Sequence, residues 1–416
     1  MLTGLFLLFF VFSTLLQLYL SIRQSLSVRR HRAFVPDDFN HQISLDEHQK
    51  AADYTLAKQR LLRYEILFQA ALLLIWTLGG GLNLIASLSA KWFAYAPMTQ
   101  GVVMLGLFAL TNSLLSLPFA LYRTFKLEQS FGFNRNTLGQ FLNDTLKTTA
   151  VVALISVPVL YVLIYLMGSM GTNWWLWVWM VWVGLSLGLL WAYPKWIAPL
   201  FNQFTPIPEG DLKQRIEALL TRTGFASNGL FVVDGSKRSG HSNAYFTGFG
   251  KQKRIVFYDT LLTELNDKEV EAVLAHELGH FKHGHITQQI SIQFVLGLAV
   301  LWILSQLLNL PEFGFFNQLG VHYPSHAMAL LLFMLILPVF TFPFSPLASL
   351  MSRRNEYQAD RFAAQHSQAA DLISALTKLY RSNASTLTPD AWHSRFYASH
   401  PNANERIAAL KQAGKH

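Results

Sequence analysis

The chain of 416 residues is 52% hydrophobic and only 14% charged, a composition too apolar for an ordinary soluble enzyme, in which about a quarter of the residues are charged. Its 33 Lys and Arg exceed its 24 Asp and Glu, for a formal net charge of +9; in so apolar a chain this favours cytoplasmic loops between membrane spans over a nucleic-acid partner, and we expect no nucleic acid. The absence of cysteine excludes disulfides and zinc–thiolate sites.

Seven stretches are long enough to cross a hydrocarbon core of about 30 Å, which takes about 20 apolar residues. They lie near 2–22, 64–88, 99–122, 148–168, 174–195, 288–310 and 326–347. The first stretch has no basic residue ahead of it and no small-residue cleavage site, so we interpret it as a retained anchor rather than a signal peptide. The spans show neither the paired charges nor the broken helices expected of a carrier.

Basic residues occur in alternate loops. They are frequent in 23–63, 123–147, 196–287 and after 351, whereas the loops near 89–98, 169–173 and 311–325 contain only Lys91. The positive-inside rule places the basic loops on the cytoplasmic side and the N-terminus outside. We therefore expect a multi-pass integral membrane protein whose folded segments face the cytoplasm.

The pattern divides the chain into four segments. Spans one to five and their loops occupy 1–195, a first folded segment occupies 196–287, a membrane hairpin of spans six and seven occupies 288–347, and a second folded segment occupies 348–416. The first folded segment has a charged helical stretch and then short strand-like runs, GLFVVD and KRIVFYD. The second is typical of polar helices.

The segment NDKEVEAVLAHELGHFKHGH (266–285) predicts a helix that starts at Asn266, with apolar residues at helical spacing. His276 and His280 are four residues apart and leave the same face, so both imidazoles reach one zinc at about 2.0–2.1 Å. Glu277 lies next to the first histidine, where it can take a proton from water and deliver it to a leaving amine, as in the HExxH arrangement of zinc peptidases. The alternative is a polar helix face without a metal.

Two further histidines follow closely, at positions 283 and 285. We interpret His283 and His285 as loop or interface residues near the start of the sixth span, with a metal role as the alternative. Because neither of these histidines is expected to bind the zinc, its third protein ligand is expected elsewhere in the chain.

A catalytic zinc has three protein ligands and one open position. In SRRNEYQADRFA (352–363), Glu356 and Asp360 are four residues apart on a predicted helix directly after the seventh span. The hairpin of spans six and seven returns the chain to the side of His276. We expect Glu356 to complete the zinc shell and Asp360 to accept the free N–H of a ligand histidine, in the first place His276. The alternative is a solvated ion-pair helix with the adjacent arginines, Arg353, Arg354 and Arg361.

HELGH, followed after a membrane hairpin by RRNEYQAD, resembles the zinc-dependent, multi-span CAAX prenyl proteases. Three other segments resemble that family as well: LEQSFGFNRNTLGQFLND (127–144), DGSKRSGHSNAYFTGFGKQKRIVFYDTLL (234–262) and SHPNANERI (399–407). The resemblance implies a mainly α, polytopic membrane protein. Seven transmembrane helices would surround a water-accessible chamber, and a gluzincin-type zinc protease domain would close it on the cytoplasmic side.

The resemblance also implies the roles of the site residues. His276, His280 and Glu356 would bind one Zn²⁺, and Glu277 would be the general base. His400 would donate a hydrogen bond to the oxyanion of the tetrahedral intermediate. Arg406 would brace a carboxylate such as Glu356. The alternative for SHPNANER is a helix start with Pro401 at its first position.

Asn243, Ala244 and Tyr245 in NAYF resemble the segment that pairs with the substrate backbone as an added strand. An extended peptide on an exposed strand edge presents its carbonyl to the metal. The alternative for Asn243 is a turn residue after SGHS.

The resemblance implies an endopeptidase that removes the C-terminal tripeptide after a prenylated cysteine. Its partners would be a peptide or protein substrate and the lipid bilayer, and we favour a monomer.

The short connection between spans six and seven favours a bacterial homologue in the inner membrane, with the endoplasmic reticulum membrane as the eukaryotic equivalent. Since bacteria generally lack protein prenylation, a general quality-control peptidase is the alternative. A non-catalytic zinc-capped scaffold or transporter is disfavoured by Glu277, because a structural zinc site needs no base there.

Overall fold

The structure is a computed structural model that describes residues 2–227, 229–247, 254–310 and 314–413. Positions 1, 228, 248–253, 311–313 and 414–416, which fall within the predicted segments, lie outside the described residues. The helices of the first half of the chain are α1 (Leu2–Arg30), α2 (Leu45–Trp76), α3 (Gly81–Phe93), α4 (Pro97–Tyr122), α5 (Leu138–Ser169) and α6 (Trp174–Ala192). Those of the second half are α7 (Asp211–Thr223), α8 (Asp259–Glu264), α9 (Asp267–Lys282), α10 (His285–Leu308), α11 (Gly314–Asn317), α12 (His326–Thr341), α13 (Ser345–His366), α14 (Ala369–Ser382), α15 (Ala391–Tyr397) and α16 (Ala403–Ala413).

Six helices of the described chain are long and apolar enough to cross a membrane, and they match six of the predicted spans. They are Leu2–Arg30, Pro97–Glu128, Leu138–Ser169, Gly171–Leu200, His285–Leu308 and His326–His366, where the longer bounds include short helical extensions. The polytopic, mainly α fold predicted from the sequence is thus confirmed.

The remaining predicted span, 64–88, falls on two helices, α2 and α3, which meet at an angle of 54°. Seven spans result when this bent pair is taken as one. The expectation that no span is broken is therefore wrong. The break coincides with three successive glycines, and Gly80 takes a left-handed conformation with φ of +79°, which a residue with a side chain adopts only at a cost.

A four-stranded sheet precedes and flanks the helix with the two histidines. Its strands are β1 (Phe204–Pro206), β2 (Leu230–Val233), β3 (Ala244–Thr247) and β4 (Arg254–Tyr258), in the order β1-β2-β4-β3. β2 and β4 run parallel, and the two outer pairs are antiparallel. β3 is consequently an edge strand, hydrogen-bonded on one side to β4.

The core beneath the sheet is built around α9. Ile255 and Phe257 of β4 pack with Val270, Leu274 and Leu278 of α9 in one buried cluster. Each of these side chains is nearly inaccessible to solvent, and burying one apolar side chain of this size contributes about 1.5–3 kcal/mol. α13 and α14 complete the same cluster, so α9 is held from several sides.

Candidate metal centre

The start of α9 is fixed by a capping box. Asn266 Oδ1 accepts the backbone N–H groups of Lys268 and Glu269, and Glu269 in turn accepts the N–H of Asn266 at 2.9 Å. This pattern satisfies donors that the first turn of a helix leaves free. The predicted start at Asn266 is confirmed. Glu269 also accepts a hydrogen bond from Lys378 of α14 at 2.7 Å, which ties a second helix to this end of α9.

α13 lies against α9 at a position where only glycine fits. A Cβ on Gly279 would lie 2.8 Å from the Cα of Ala359 and 3.1 Å from its carbonyl oxygen. The two backbones are therefore in direct contact. This contact places Glu356, one turn before Ala359, over the face of α9 that carries His276 and His280.

The three side chains converge with spacings that suit a tetrahedral metal. His276 Nε2 and His280 Nε2 are 3.2 Å apart. Glu356 Oε1 lies 3.3 Å from His280 Nε2, and Glu356 Oε2 lies 3.5 Å from His276 Nε2. Zinc bonds of about 2.0–2.1 Å in a tetrahedron give ligand-to-ligand distances of about 3.4 Å. Within the described residues these three form the one group of His, Cys, Asp or Glu side chains with this convergence.

Glu356 supplies an independent indication of a metal. Its side chain is 4% exposed, yet Oε2 has no hydrogen-bond partner. His400 Nδ1 lies 2.7 Å from that oxygen as an ion-pair contact. A buried carboxylate with an unsatisfied oxygen is costly, and a cation between the three side chains would offset that cost. The donor set fits one zinc ion.

The second nitrogen of His276 is held by Asp360. His276 Nδ1 donates to Asp360 Oδ1 at 2.8 Å. This is the contact expected from the sequence, and it leaves the lone pair of Nε2 facing the other ligands. Asp360 is paired in turn with Arg406, through Nε at 2.9 Å and Nη2 at 2.6 Å. Arg406 is closer to Asp360 than to Glu356, from which its Nη1 is 3.6 Å.

The second nitrogen of His280 has a partner that the sequence analysis did not assign. His280 Nδ1 lies 3.0 Å from His285 Nδ1, and His285 Nε2 lies 2.8 Å from Gln358 Oε1. With His285 donating to the amide oxygen, its Nδ1 accepts the N–H of His280. The lone pair of His280 Nε2 then points to the metal position. His283 remains exposed.

Charged side chains around α9 shift the pKa of His280 and the pKa of Arg406. Burial lowers the pKa of His280, but the carboxylate of Glu356 and then that of Glu277 outweigh it and raise the pKa above its ordinary value. Burial likewise opposes the charge on Arg406, but its hydrogen bonds to Asp360 raise its pKa further. Arg406 is therefore a permanent cation behind the candidate ligands.

Glu277 and His400 lie on the accessible side of the centre. Glu277 is only partly buried, and in the described part of the chain no hydrogen bond or ion pair occupies its carboxylate, which leaves it available to a water molecule. The side chain of His400 is 60% exposed although its Nδ1 faces Glu356. Its other nitrogen, Nε2, is thus available to a substrate.

The residues predicted to bind substrate lie at the edge of the sheet. Asn243 accepts the backbone N–H of Tyr258 at 3.0 Å through its carbonyl, and Ala244 and Tyr245 begin β3. Ala244 packs against the cluster that contains α9. Burial raises the pKa of Tyr245 to about 12, so its hydroxyl is neutral at physiological pH.

Two of the segments singled out in the sequence meet in space. Arg238 donates to Asp144 at 2.7 Å and 3.2 Å, and Asn134 pairs with Ser239 as an isolated β-bridge. The ring of His241 stacks on Phe133 with centroids 4.3 Å apart. The segments 127–144 and 234–262 therefore join the membrane helices to the sheet.

Comparisons with known proteins agree with this architecture. A family model described as the CAAX prenyl protease N-terminal region with five membrane helices matches residues 24–203, and the model of peptidase family M48 matches residues 206–413. A human protein named CAAX prenyl protease 1 homolog is 34% identical over 92% of this chain and 90% of its own length. CAAX prenyl protease 1 of Saccharomyces cerevisiae is 34% identical over 81% of this chain and 77% of its own. The crystal structure of S. mikatae Ste24p superposes with a TM-score of 0.90 at 29% identity and covers 98% of both chains.

Proposed function

This chain belongs to peptidase family M48 and is a multi-span membrane metallopeptidase, and we propose that it is a zinc endopeptidase of the CAAX type. Its reaction would be hydrolysis of the peptide bond after a prenylated cysteine, with release of the C-terminal tripeptide. The observation that carries the proposal is the convergence of His276, His280 and Glu356 beside the unoccupied carboxylate of Glu277.

We assign the metal as one Zn²⁺ because of the kinds of atoms that the three side chains offer as ligands. Two imidazole nitrogens and one carboxylate are the ligands of catalytic zinc sites in peptidases, and they leave one position open for the reaction. The distances of 3.2 to 3.5 Å between the donor atoms support this assignment, as does the burial of the Glu356 carboxylate. Zinc bound there supplies Lewis-acid polarisation of the scissile carbonyl and increases the acidity of water.

Glu277 is the proposed general base. Its carboxylate takes the proton of the attacking water and returns it to the amide nitrogen as that bond breaks. Since it follows the ligand His276 directly, it lies beside the reacting atoms without occupying a ligand position. The lack of an ion pair at Glu277 keeps its carboxylate free for this exchange.

His400 and the edge of β3 are proposed to bind the substrate. The exposed Nε2 of His400 donates to the oxygen that becomes negative as the carbonyl is attacked. The open edge of β3, starting at Asn243, Ala244 and Tyr245, pairs with the extended peptide through backbone hydrogen bonds. Asp360 and Arg406 hold His276 in the required tautomer and orientation.

We further propose that the centre faces the cytoplasm in a monomeric protein. The basic residues of the segments 196–287 and 348–416 support this orientation. The direct packing of α13 on α9 supports the division into spans 1–195, two parts of one protease domain, and the hairpin 288–347 between them. The short hairpin connection supports the bacterial inner membrane as the location, whereas the relatives compared above are eukaryotic.

The experiment that tests the function is mass spectrometry of peptide products from the purified protein. The substrates are a farnesylated CAAX peptide and its unprenylated twin, and the control is Glu277→Gln. We expect the wild type alone to cut between the prenylated cysteine and the next residue. The loss of the general base should lower the rate about 10²-fold to 10⁴-fold while zinc stays bound.

Two other results would change the assignment. Cleavage of both peptides at scattered sites would indicate a general quality-control peptidase. Normal turnover by Glu277→Gln would overturn the proposed mechanism.

A further inference from the structure

A cavity of about 380 Å³ lies between α2 and the C-terminal helices, next to the metal centre. One part of its wall is His400, whose Nδ1 lies 2.7 Å from Glu356. Tyr54 and Lys58 of α2 line the same cavity together with Tyr380. Its volume lies within the range of sites that bind small ligands, and its lining includes both His400 and Lys58, a charged side chain that the mechanism does not use.

Lys58 is the cationic side chain of this cavity, although burial lowers its pKa below the ordinary value of a lysine. No Asp or Glu is among the described residues that line it, and Lys58 is its one lysine or arginine. Burial lowers the pKa of the neighbouring His393 to about 4, so that ring is neutral at physiological pH. The cavity therefore attracts a negative group and contains no negative side chain of its own.

The ammonium of Lys58 has no carboxylate partner in the part of the chain that the structure describes. Its nitrogen lies 4.7 Å from the ring centroid of Tyr54. The nearby carboxylate of Glu128 accepts hydrogen bonds from the Tyr54 hydroxyl at 2.7 Å and 2.9 Å, and it lies 3.5 Å from His241 Nε2. Because Glu128 is engaged by those groups, Lys58 retains the capacity to bind an anion.

We propose that Lys58 binds the free α-carboxylate at the C-terminal end of the substrate and thereby selects the end of a chain. This inference rests on the proposed release of a C-terminal tripeptide. Three extended residues span about 10 Å, so the terminal carboxylate of such a substrate lies well beyond the scissile bond, in the cavity that starts at His400. A charge-assisted hydrogen bond from Lys58 then discriminates a free terminus from a continuing chain.

The test compares one peptide in two forms, with a free C-terminal carboxylate or with a carboxamide. kcat/KM is measured for both with the wild type, Lys58→Met, Lys58→Arg and the matched control Lys50→Met. Lys50 is an exposed lysine two turns earlier on α2 that lies over the ring of Phe133 at 5.5 Å, outside the cavity. The comparison of the acid and amide peptides with the wild-type protein remains informative even if a variant fails to fold.

We expect the wild type and Lys50→Met to prefer the acid over the amide by about 10-fold to 100-fold, the discrimination expected of one hydrogen bond to a charged group. Lys58→Met should lose this preference, and Lys58→Arg should restore part of it. Equal rates for the acid and the amide in the wild type, or an unchanged preference in Lys58→Met, would overturn the inference and leave the proposed function in place. Cleavage of neither peptide by the zinc-loaded wild type would overturn the proposed function and this inference with it.

Discussion

Arg406 and Asp360 form a buried, two-pronged ion pair behind the candidate ligand His276. Arg406 Nε lies 2.9 Å from Asp360 Oδ2, and Nη2 lies 2.6 Å from Oδ1. Their side chains are 7% and 3% exposed. Removing one partner of such a pair leaves the other as an uncompensated buried charge.

Arg406→Ala should therefore destabilise the protein by about 3–5 kcal/mol and weaken zinc binding, because Asp360 loses the group that fixes it against His276. Thermal unfolding in detergent and zinc content measure the two effects. Arg381→Ala is the matched control, since Arg381 faces Glu47 at 3.8 Å with both side chains about 40% exposed, where a pair contributes less than about 1 kcal/mol. Equal losses in both variants would contradict a special role of the buried pair.

Glu356→Gln and Glu277→Gln should separate metal binding from proton transfer. The first removes the charge of a proposed ligand, so we expect the purified variant to lose zinc on dialysis. The second changes a carboxylate that lies outside the ligand group, so its zinc content should match that of the wild type. Metal analysis of the two variants in parallel measures their zinc content. Full zinc occupancy in Glu356→Gln would refute the assignment of Glu356 as a ligand.

His285→Phe should lower zinc affinity about 10-fold to 100-fold, the usual effect of removing a group that orients a ligand histidine. The reason is the 3.0 Å contact between His285 Nδ1 and His280 Nδ1. Competition with a chelator of known affinity measures the change. His283→Phe is the control, since His283 is exposed and its ring stacks on His285 with centroids 5.6 Å apart, while the described residues show no hydrogen bond from its side chain to His280. A larger loss in the control would instead favour a direct metal role for His283.

Gly279→Ala should separate α9 from α13. The added Cβ meets the backbone of Ala359 at 2.8 Å, and overpacking of this kind costs about 1–3 kcal/mol. Zinc occupancy should fall with stability, because Glu356 moves with α13. Gly188→Ala on α6 has open space around the new methyl group and should be neutral or slightly stabilising. A fully zinc-loaded Gly279→Ala would show that the contact does not position Glu356.

Zinc affinity should fall on acidification, starting at a pH above 6.5, the ordinary pKa of histidine. In the metal-free protein the carboxylate of Glu356 overcomes the effect of burial and raises the pKa of His280. Protons therefore compete with zinc for this ligand at a higher pH than for an unperturbed imidazole, and binding releases a proton. Zinc titrations between about pH 5 and 8 measure this dependence. An affinity constant across that range would be inconsistent with His280 as a ligand.

Local patterns in the sequence were sufficient for most of α9. The capping signal at Asn266 and the i, i+4 spacing of His276 and His280 are properties of one helix, and a helix has a fixed geometry. Glu356 and Asp360 were identifiable because they also occupy one helical face and because a membrane hairpin returns the chain to its starting side.

Features that depend on how elements meet were not predictable in the same way. His285 lies next to His280 because α9 ends and α10 begins at Gly284, which has a φ of +68°; that glycine was the available signal. The partner of Arg406 depends on the rotation of α16 against α13, which no spacing reveals. The bend between α2 and α3 had a visible signal, three consecutive glycines, within a stretch otherwise apolar enough for one straight helix.

The two halves of the metal centre are separated in the chain by the hairpin α10 to α12. During synthesis, α9 leaves the ribosome with its two histidines before Glu356 has been made. Both helices of the hairpin are therefore synthesised before Glu356, and α13 can contact Gly279 only when the whole hairpin has been made. A nascent chain that ends before α13 contains two of the three candidate ligands and no complete centre.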